Sequence, residues 1–306
     1  MKIAKSKYKN VKAIRLETQK YVILVLPTNG GKIASFKNKQ TKKEYLLQNP
    51  SKKYLCLGKK DGFEKKDCSG FDDMFPTIDE DLQLNGLGKP LKYLDHGEIC
   101  RSRFKSFIEK DKLVLKFVSK NIGYEYKKTF LEEPNGSLRI EYEITNASKT
   151  SLNVLWAGHC LLPIEKGSKL IPPFSFGEDL DVVYSSSKEY VEPYKTQYDA
   201  NVFFFNDFKK NESVKYYFTN KCKTNKFVYA YSNKDRFVLE FDSKTLSYVG
   251  VWVDFGVVNG SKCIGLEPCS AGYDTVKNAS LHGHKTLLKN GEKLTFYLSL
   301  YVESEI

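Results

Sequence analysis

Apolar and polar residues alternate with a period of two along most of this chain. In the run Ser137 to Asn146, Leu138, Ile140, Tyr142 and Ile144 share one face, while Arg139, Glu141, Glu143 and Thr145 share the other. That is the pattern of a strand with one wet side. KLVLKFVS, KFVYAYS and RFVLEFD behave similarly, and KLTFYLSLYV near the C-terminus sets Leu294, Phe296, Leu298, Leu300 and Val302 on one side. Residues 11–26 begin with two short β-rich runs, VKAIRLE and YVILVLP, and then break at Pro27-Thr28-Asn29-Gly30-Gly31, a strong turn signal. Asn135-Gly136 and Asn290-Gly291 stand just before two of the alternating runs, where hairpin turns are expected. No long segment carries a 3.6-residue stripe, and no repeat or flexible linker divides the chain. The pattern predicts one all-β domain over residues 1–306, antiparallel and mostly sandwiched.

Three stretches depart from simple alternation. Residues 50–70 are loop-like and lysine-rich, and GFDDMFPTI (70–78) interrupts with two acids, two aromatics and a proline. Within 181–215, SSSKEYVEPYKTQYD reads as loop or a short helical turn, and FFFNDF as strand or core. Leu152 to Cys160, LNVLWAGHC, is apolar on both parities, as a strand covered above and below would be. Gly158 then drops its side chain, and His159 projects from the face that carries Leu155 and Ala157. A titratable ring at the end of a buried strand, beside a gap, invites a chemical explanation, although a lone histidine is more often a hydrogen-bonded core residue.

Composition narrows the classes. Of 49 basic residues five are arginine and 44 lysine, and the lysines are dispersed. The formal charge of +12 therefore describes a solvated surface better than a nucleic-acid footprint, which favours the arginine fork. No run of about 18 apolar residues predicts a membrane span. The basic N-terminus MKIAKSKYKN is not followed by the apolar core of a signal peptide. Seven scattered cysteines form no CxxC pair, so reduced thiols and a cytoplasmic location are expected.

Candidate chemistry gathers in two further places. His96 lies in Leu94-Asp95-His96-Gly97-Glu98, either ion-paired in a loop or held in place for catalysis by a carboxylate. In the run from Val249 to Gly272, Trp252 and Asp254 share parity, an apolar platform beside an acceptor, which suits a pyranose. Cys263, Gly265 and Glu267 point one way, so Gly265 opens space beside Glu267, and Pro268 ends the strand's pairing. A carboxylate beside such a gap is a seat for a general base, or a glutamate that caps a sheet edge. His282 and His284 flank a glycine near a turn, with no acid or cysteine nearby to complete a metal set.

LPTNGGKIASFKNKQTKKEYLL, GFDDMFPTI, LDHGEICRSRF, VLWAGHCLLPIEKGSKLIPP and CIGLEPCSAGYDTV occur in the order seen in the aldose 1-epimerase, or galactose mutarotase-like, superfamily. These markers span residues 23–276, and the chain most resembles bacterial branches of that superfamily. The resemblance implies a β-supersandwich with a sugar site on the concave face of one sheet, and no metal or organic cofactor. By motif, His96 matches the histidine of the family's HG element, His159 that of its W-x-x-H element and Glu267 the glutamate of its EP element. In family terms the glutamate takes the proton of the anomeric hydroxyl, the W-x-x-H histidine protonates the ring oxygen and the HG histidine helps to hold that oxygen. The implied partner is an aldose, free or phosphorylated, with no nucleic acid and no membrane. Asp254, Trp252, Asp73 and Arg101 are the candidate substrate-binding residues. A mutually paired Glu267 and His159, ionised and protonated near neutral pH, would make the acid–base pair. A sugar-binding or sensing protein without turnover, and a glycoside-processing enzyme pairing Glu267 with Asp254 or Asp73, are the alternative readings. Cys160 and Leu161 stand where family members commonly carry proline and an aromatic. No arginine matches in the early loop, where Lys52 or Lys53 is the available substitute, and Asp199 competes with Asp254 for the hydroxyl-binding aspartate.

Overall fold

The computed structural model describes residues 1–58, 61–85, 87–187, 197–199, 203–205, 211–257 and 260–304. Among them, ten strands join into one sheet. It begins with the meander Lys2–Tyr8, Val11–Glu17, Tyr21–Leu26 and Lys32–Asn38. It continues through Phe71–Met74, Ala157–Pro163, Lys262–Cys269, Tyr248–Phe255 and Ser213–Phe218 to Leu180–Ser185. Nine strands make the second sheet, running from Phe204–Phe205 and Ser168–Ile171 through Lys226–Ala230, Asp235–Phe241 and Lys293–Ser304. Leu138–Asn146, Tyr124–Glu132 and Lys112–Ser119 follow, and Lys105–Glu109 closes that sheet. The ladders among the described residues are antiparallel, so the fold is an all-β sandwich.

Alternation explains how the layers meet. Leu138, Ile140, Tyr142 and Ile144 are buried, while Glu141 on the other parity is exposed. Aromatic rings interlock between the sheets: Phe36 meets Phe237 edge-on at 5.9 Å, and Trp156 lies 4.5 Å from Phe296 and 5.2 Å from Tyr142. Asn135-Gly136 closes the hairpin between Tyr124–Glu132 and Leu138–Asn146, with Gly136 at φ +82°. Asn290-Gly291 is also a turn, but it joins no hairpin. The short strand before it, Leu287–Leu288, pairs with Leu152–Asn153 instead.

Two other expectations change in the fold. LNVLWAGHC is not one strand: Leu152–Asn153 belongs to that two-stranded ribbon, and the sheet strand begins at Ala157. Between them Val154, Leu155 and Trp156 donate their backbone N–H groups to Thr286 O, Pro76 O and Ser270 Oγ. The double-sided apolarity therefore marks a buried crossing between elements. Asp73 faces the space between the sheets. Its carboxylate pairs with Lys128 Nζ at 3.0 Å and accepts hydrogen bonds from the Tyr126 and Tyr142 hydroxyls, all buried. Of FFFNDF, Phe204–Phe205 is a short strand and Phe203 is buried; residues 206–208 lie outside the described residues, as do 188–196 of the preceding loop.

Candidate functional site

Cross-strand register builds the site. Directly paired residues of an antiparallel ladder share a face. His159 pairs with Asp72, Leu161 with Gly265, Gly265 with Trp252 and Trp252 with Lys215. One row further along, Glu267 pairs with Gly250 and Gly250 with Tyr217. His159, Gly265, Glu267, Trp252, Lys215 and Tyr217 thus occupy one face of the ten-stranded sheet. Asp73, offset by one from Asp72, is turned to the opposite face. A cavity of about 300 Å³ opens over that patch, at the lower end of the range for small-molecule sites. His96, His159, Trp252 and Glu267 all line it.

His96 arrives from a loop. It sits at φ +55° and the following Gly97 at φ +70°. A Cβ on Gly97 would fall 2.2 Å from the Phe75 carbonyl oxygen, so only glycine lets this turn press against the strand end. The His96 ring lies flat on Phe63, with centroids 4.0 Å apart and planes 3° from parallel. Its Nδ1 meets Asp95 Oδ1 at 2.6 Å, the carboxylate-held arrangement. The two histidine rings stand edge to face at 5.4 Å.

Glu267 is fully buried, with Lys215 Nζ in close contact with its Oε2. Two glycines frame it. A Cβ on Gly250 would lie 3.3 Å from Oε2 and 2.8 Å from the Tyr217 ring, and one on Gly265 would lie 3.5 Å from Oε1. Lys215 also lies 3.4 Å from Asp274 Oδ1, which in turn accepts a hydrogen bond from the Tyr217 hydroxyl at 2.7 Å. Glu267 Oε1 and His159 Nδ1 are buried with no hydrogen-bond partner among the described residues. Native interiors rarely leave such atoms unsatisfied, so a polar ligand in this cavity would complete them.

The electrostatics separate four groups at the site. Burial raises the Glu267 carboxyl, with the Lys215 ammonium pulling the other way. Burial lowers the Lys215 ammonium, but the Glu267 and Asp274 charges override that and raise it. Burial, then the positive charges of His96, Lys215 and Lys32, hold His159 well below the usual imidazole range. Burial also raises Asp95, but the His96 hydrogen bond and charge bring it below the ordinary carboxylate value. The sequence predicts Glu267 paired with a protonated His159; in the structure Glu267 pairs with Lys215, and burial works against a charge on His159.

Three predicted substrate contacts lie off the cavity lining. Asp73 is in the intersheet core, as described above. Asp254 keeps the face predicted from its parity, but its Oδ1 accepts the N–H groups of Gly256 and Val257 at 3.0 and 2.7 Å, capping a turn. Arg101 donates from Nη1 to Gly58 O and Asp61 O at 2.9 and 3.1 Å, and from Nε to Gly97 O at 3.2 Å, so it braces the loop that carries His96. Lys52, Lys53 and Asp199 are exposed and also off the lining. Asp254 and Asp73, the two alternative partners of Glu267 in the glycoside-processing reading, are thus both off the lining, where the other carboxylates are Glu64, Asp79, Asp95 and Asp274.

Lys215, Asp274, Phe63 and Tyr184 line the cavity without having been singled out. Tyr184 stacks on Trp252 with centroids 5.7 Å apart, extending the aromatic wall. A signal for Lys215 existed in SVKYYF: a lone charge inside a strand that is buried on both faces must have a partner. His282 and His284 lie elsewhere, His282 at the end of the short helix Val276–Leu281 and His284 stacked on Tyr248 at 3.7 Å.

No protein-family model matches the chain, and no curated protein matches it. Its fold is nevertheless shared with solved structures. A galactose mutarotase-like protein from Clostridium acetobutylicum superposes with TM-score 0.71 at 17% identity, covering 100% of this chain and 99% of that one. A galactose mutarotase-like protein from Lactobacillus casei gives 0.64 at 15% identity, covering 95% and 100%. A GalM/aldose epimerase homologue from C. elegans gives 0.64 at 11% identity, covering 99% and 100%. At these identities the likeness is one of fold.

Proposed function

We propose, from the premise that this chain carries the galactose mutarotase-like fold, that it interconverts the α and β anomers of a hexose or related aldose. The observation that carries this reading is the meeting of His96, His159 and Glu267 in one sugar-sized cavity, with Glu267 Oε1 and His159 Nδ1 lacking partners. Ring opening needs a base at the anomeric hydroxyl and an acid at the ring oxygen. Glu267 takes the hydroxyl proton as the C1–O5 bond breaks, and His159 in its imidazolium form delivers a proton to O5. The aldehyde turns about C1–C2, and the reverse transfers close the other anomer. His96, clamped by Asp95 and stacked on Phe63, steadies the ring oxygen, while Trp252 and Tyr184 offer apolar surface to the C–H face. A well-placed acid or base contributes roughly 10²–10⁴-fold, enough for a reaction that already proceeds in water.

Saturation-transfer NMR between the α and β anomeric protons tests the reading directly. Glucose, galactose and their 6-phosphates should include at least one sugar whose exchange the protein accelerates. Binding of a sugar without faster exchange would assign the cavity to a sensing or carrier protein instead.

A further inference from the structure

The anomer-exchange reading uses Glu267 and two histidines, and leaves unexplained a lysine buried in the same cavity. Lys215 lies two strands from Glu267 and one row away in register, with the strand of Gly250 between them. A side chain at position 250 would block the diagonal path; its Cβ alone would come within 3.3 Å of Glu267 Oε2. With glycine there, the lysine stem crosses the intervening strand and its ammonium meets Oε2. Asp274 Oδ1 lies 3.4 Å from the same ammonium, and the Tyr217 ring lies 5.4 Å away.

We propose that Lys215 is the positioning residue of this cavity: lodged between Glu267 and Asp274, it occupies Oε2 of the glutamate and leaves Oε1 as the oxygen presented to a bound sugar. The proposal rests on the anomer-exchange reading and adds the group that makes a fully buried carboxyl serve as a base. Without an adjacent cation, burial would hold Glu267 protonated and unable to accept a proton. The groups that act on its charge are Lys215, Asp274 and His96, with Cys269 and Tyr217 packed alongside. Of these, Lys215 is the cation in hydrogen-bond contact. A second consequence concerns the aldehyde released on ring opening. Condensation with a lysine needs the neutral amine. Two carboxylates keep Lys215 as ammonium, so it can stand beside the aldehyde without forming a Schiff base.

The test is Lys215→Met beside Lys215→Arg, read in two ways. The first readout needs no turnover: side-chain carboxyl carbons of glutamate are labelled with ¹³C, Glu267 is assigned with Glu267→Gln, and its titration midpoint is followed. Lys215→Met is expected to raise that midpoint by about one pH unit or more, and Lys215→Arg to hold it near the original value. The second readout is anomer exchange of glucose and galactose. Lys215→Met is expected to lower kcat about 10²-fold with KM little changed, and to move the acid limb of the profile to higher pH. Lys215→Arg should restore part of the rate and the original limb. An unmoved Glu267 midpoint in Lys215→Met overturns the proposal, whatever the activity. An unmutated protein that exchanges no sugar overturns the reading beneath it, while the midpoint still decides the role of Lys215. Should Lys215→Met fail to fold, the unmutated protein decides: the ¹⁵N shift of Lys215 Nζ is expected to follow the Glu267 titration, and independent behaviour of the two overturns the pairing.

Discussion

Glu267→Gln keeps the shape of the side chain while removing both the base and the charge opposite Lys215. Anomer exchange is expected to fall by roughly 10²–10⁴-fold, with sugar binding retained. Stability should fall as well, because removing one partner of a buried pair strands the other at a cost of up to about 3–5 kcal/mol. Asp274, 3.4 Å from Lys215, limits that loss by keeping a counter-charge in place. Exchange kinetics and urea unfolding of the same variant check both parts; full activity would remove Glu267 from the mechanism. At this scale the chain's own pattern was informative about His96, His159 and Glu267, since each is a titratable group close to a glycine. It was weaker on Lys215: the lone charge in SVKYYF is a signal, but one interior lysine is hard to distinguish among 44.

Between elements, the Asp73–Lys128 pair joins the two sheets beneath the site, and it extends through Tyr126, whose hydroxyl accepts the Trp156 indole N–H at 2.7 Å. Lys128→Met alone is expected to cost about 3–5 kcal/mol, by leaving a carboxylate buried without its cation. The double variant Lys128→Met, Asp73→Leu should recover most of this. It should not recover all, since the Tyr126 and Tyr142 hydroxyls lose an acceptor, about 1 kcal/mol or more each. Chemical unfolding of the three proteins measures the difference, and a single variant as stable as the parent would show that the pair holds nothing. Period-two alternation predicted the strands that carry these residues, but neighbouring positions such as Asp72 and Asp73 belong to opposite faces. Register alone decides which of them shares the face of His159, where Asp72 pairs with Lys32, and which looks into the core.

Across the whole molecule, burial sets the pH behaviour. The proposed exchange needs Glu267 ionised and His159 protonated, yet the fold raises the first and lowers the second. The competent form is therefore scarce at neutral pH and grows as pH falls, until Glu267 itself takes up its proton. kcat/KM is expected to fall with rising pH once Glu267 is ionised, as His159 loses the little charge it carries. A profile that rises from about pH 6 to about pH 8 would exclude His159 as the proton donor. Among the described residues no helix is long and apolar enough to cross a membrane. The sequence by itself determined the antiparallel β class, the faces of its strands and three of the polar groups that meet in the cavity, because side-chain direction along a strand follows from position parity. Which strands lie side by side is a matter of long-range pairing, and pairing brings Lys215 and Asp274 to Glu267 and sends Asp73 into the core. Desolvation follows from the same packing, so the charge that each group carries was decided only by the folded chain.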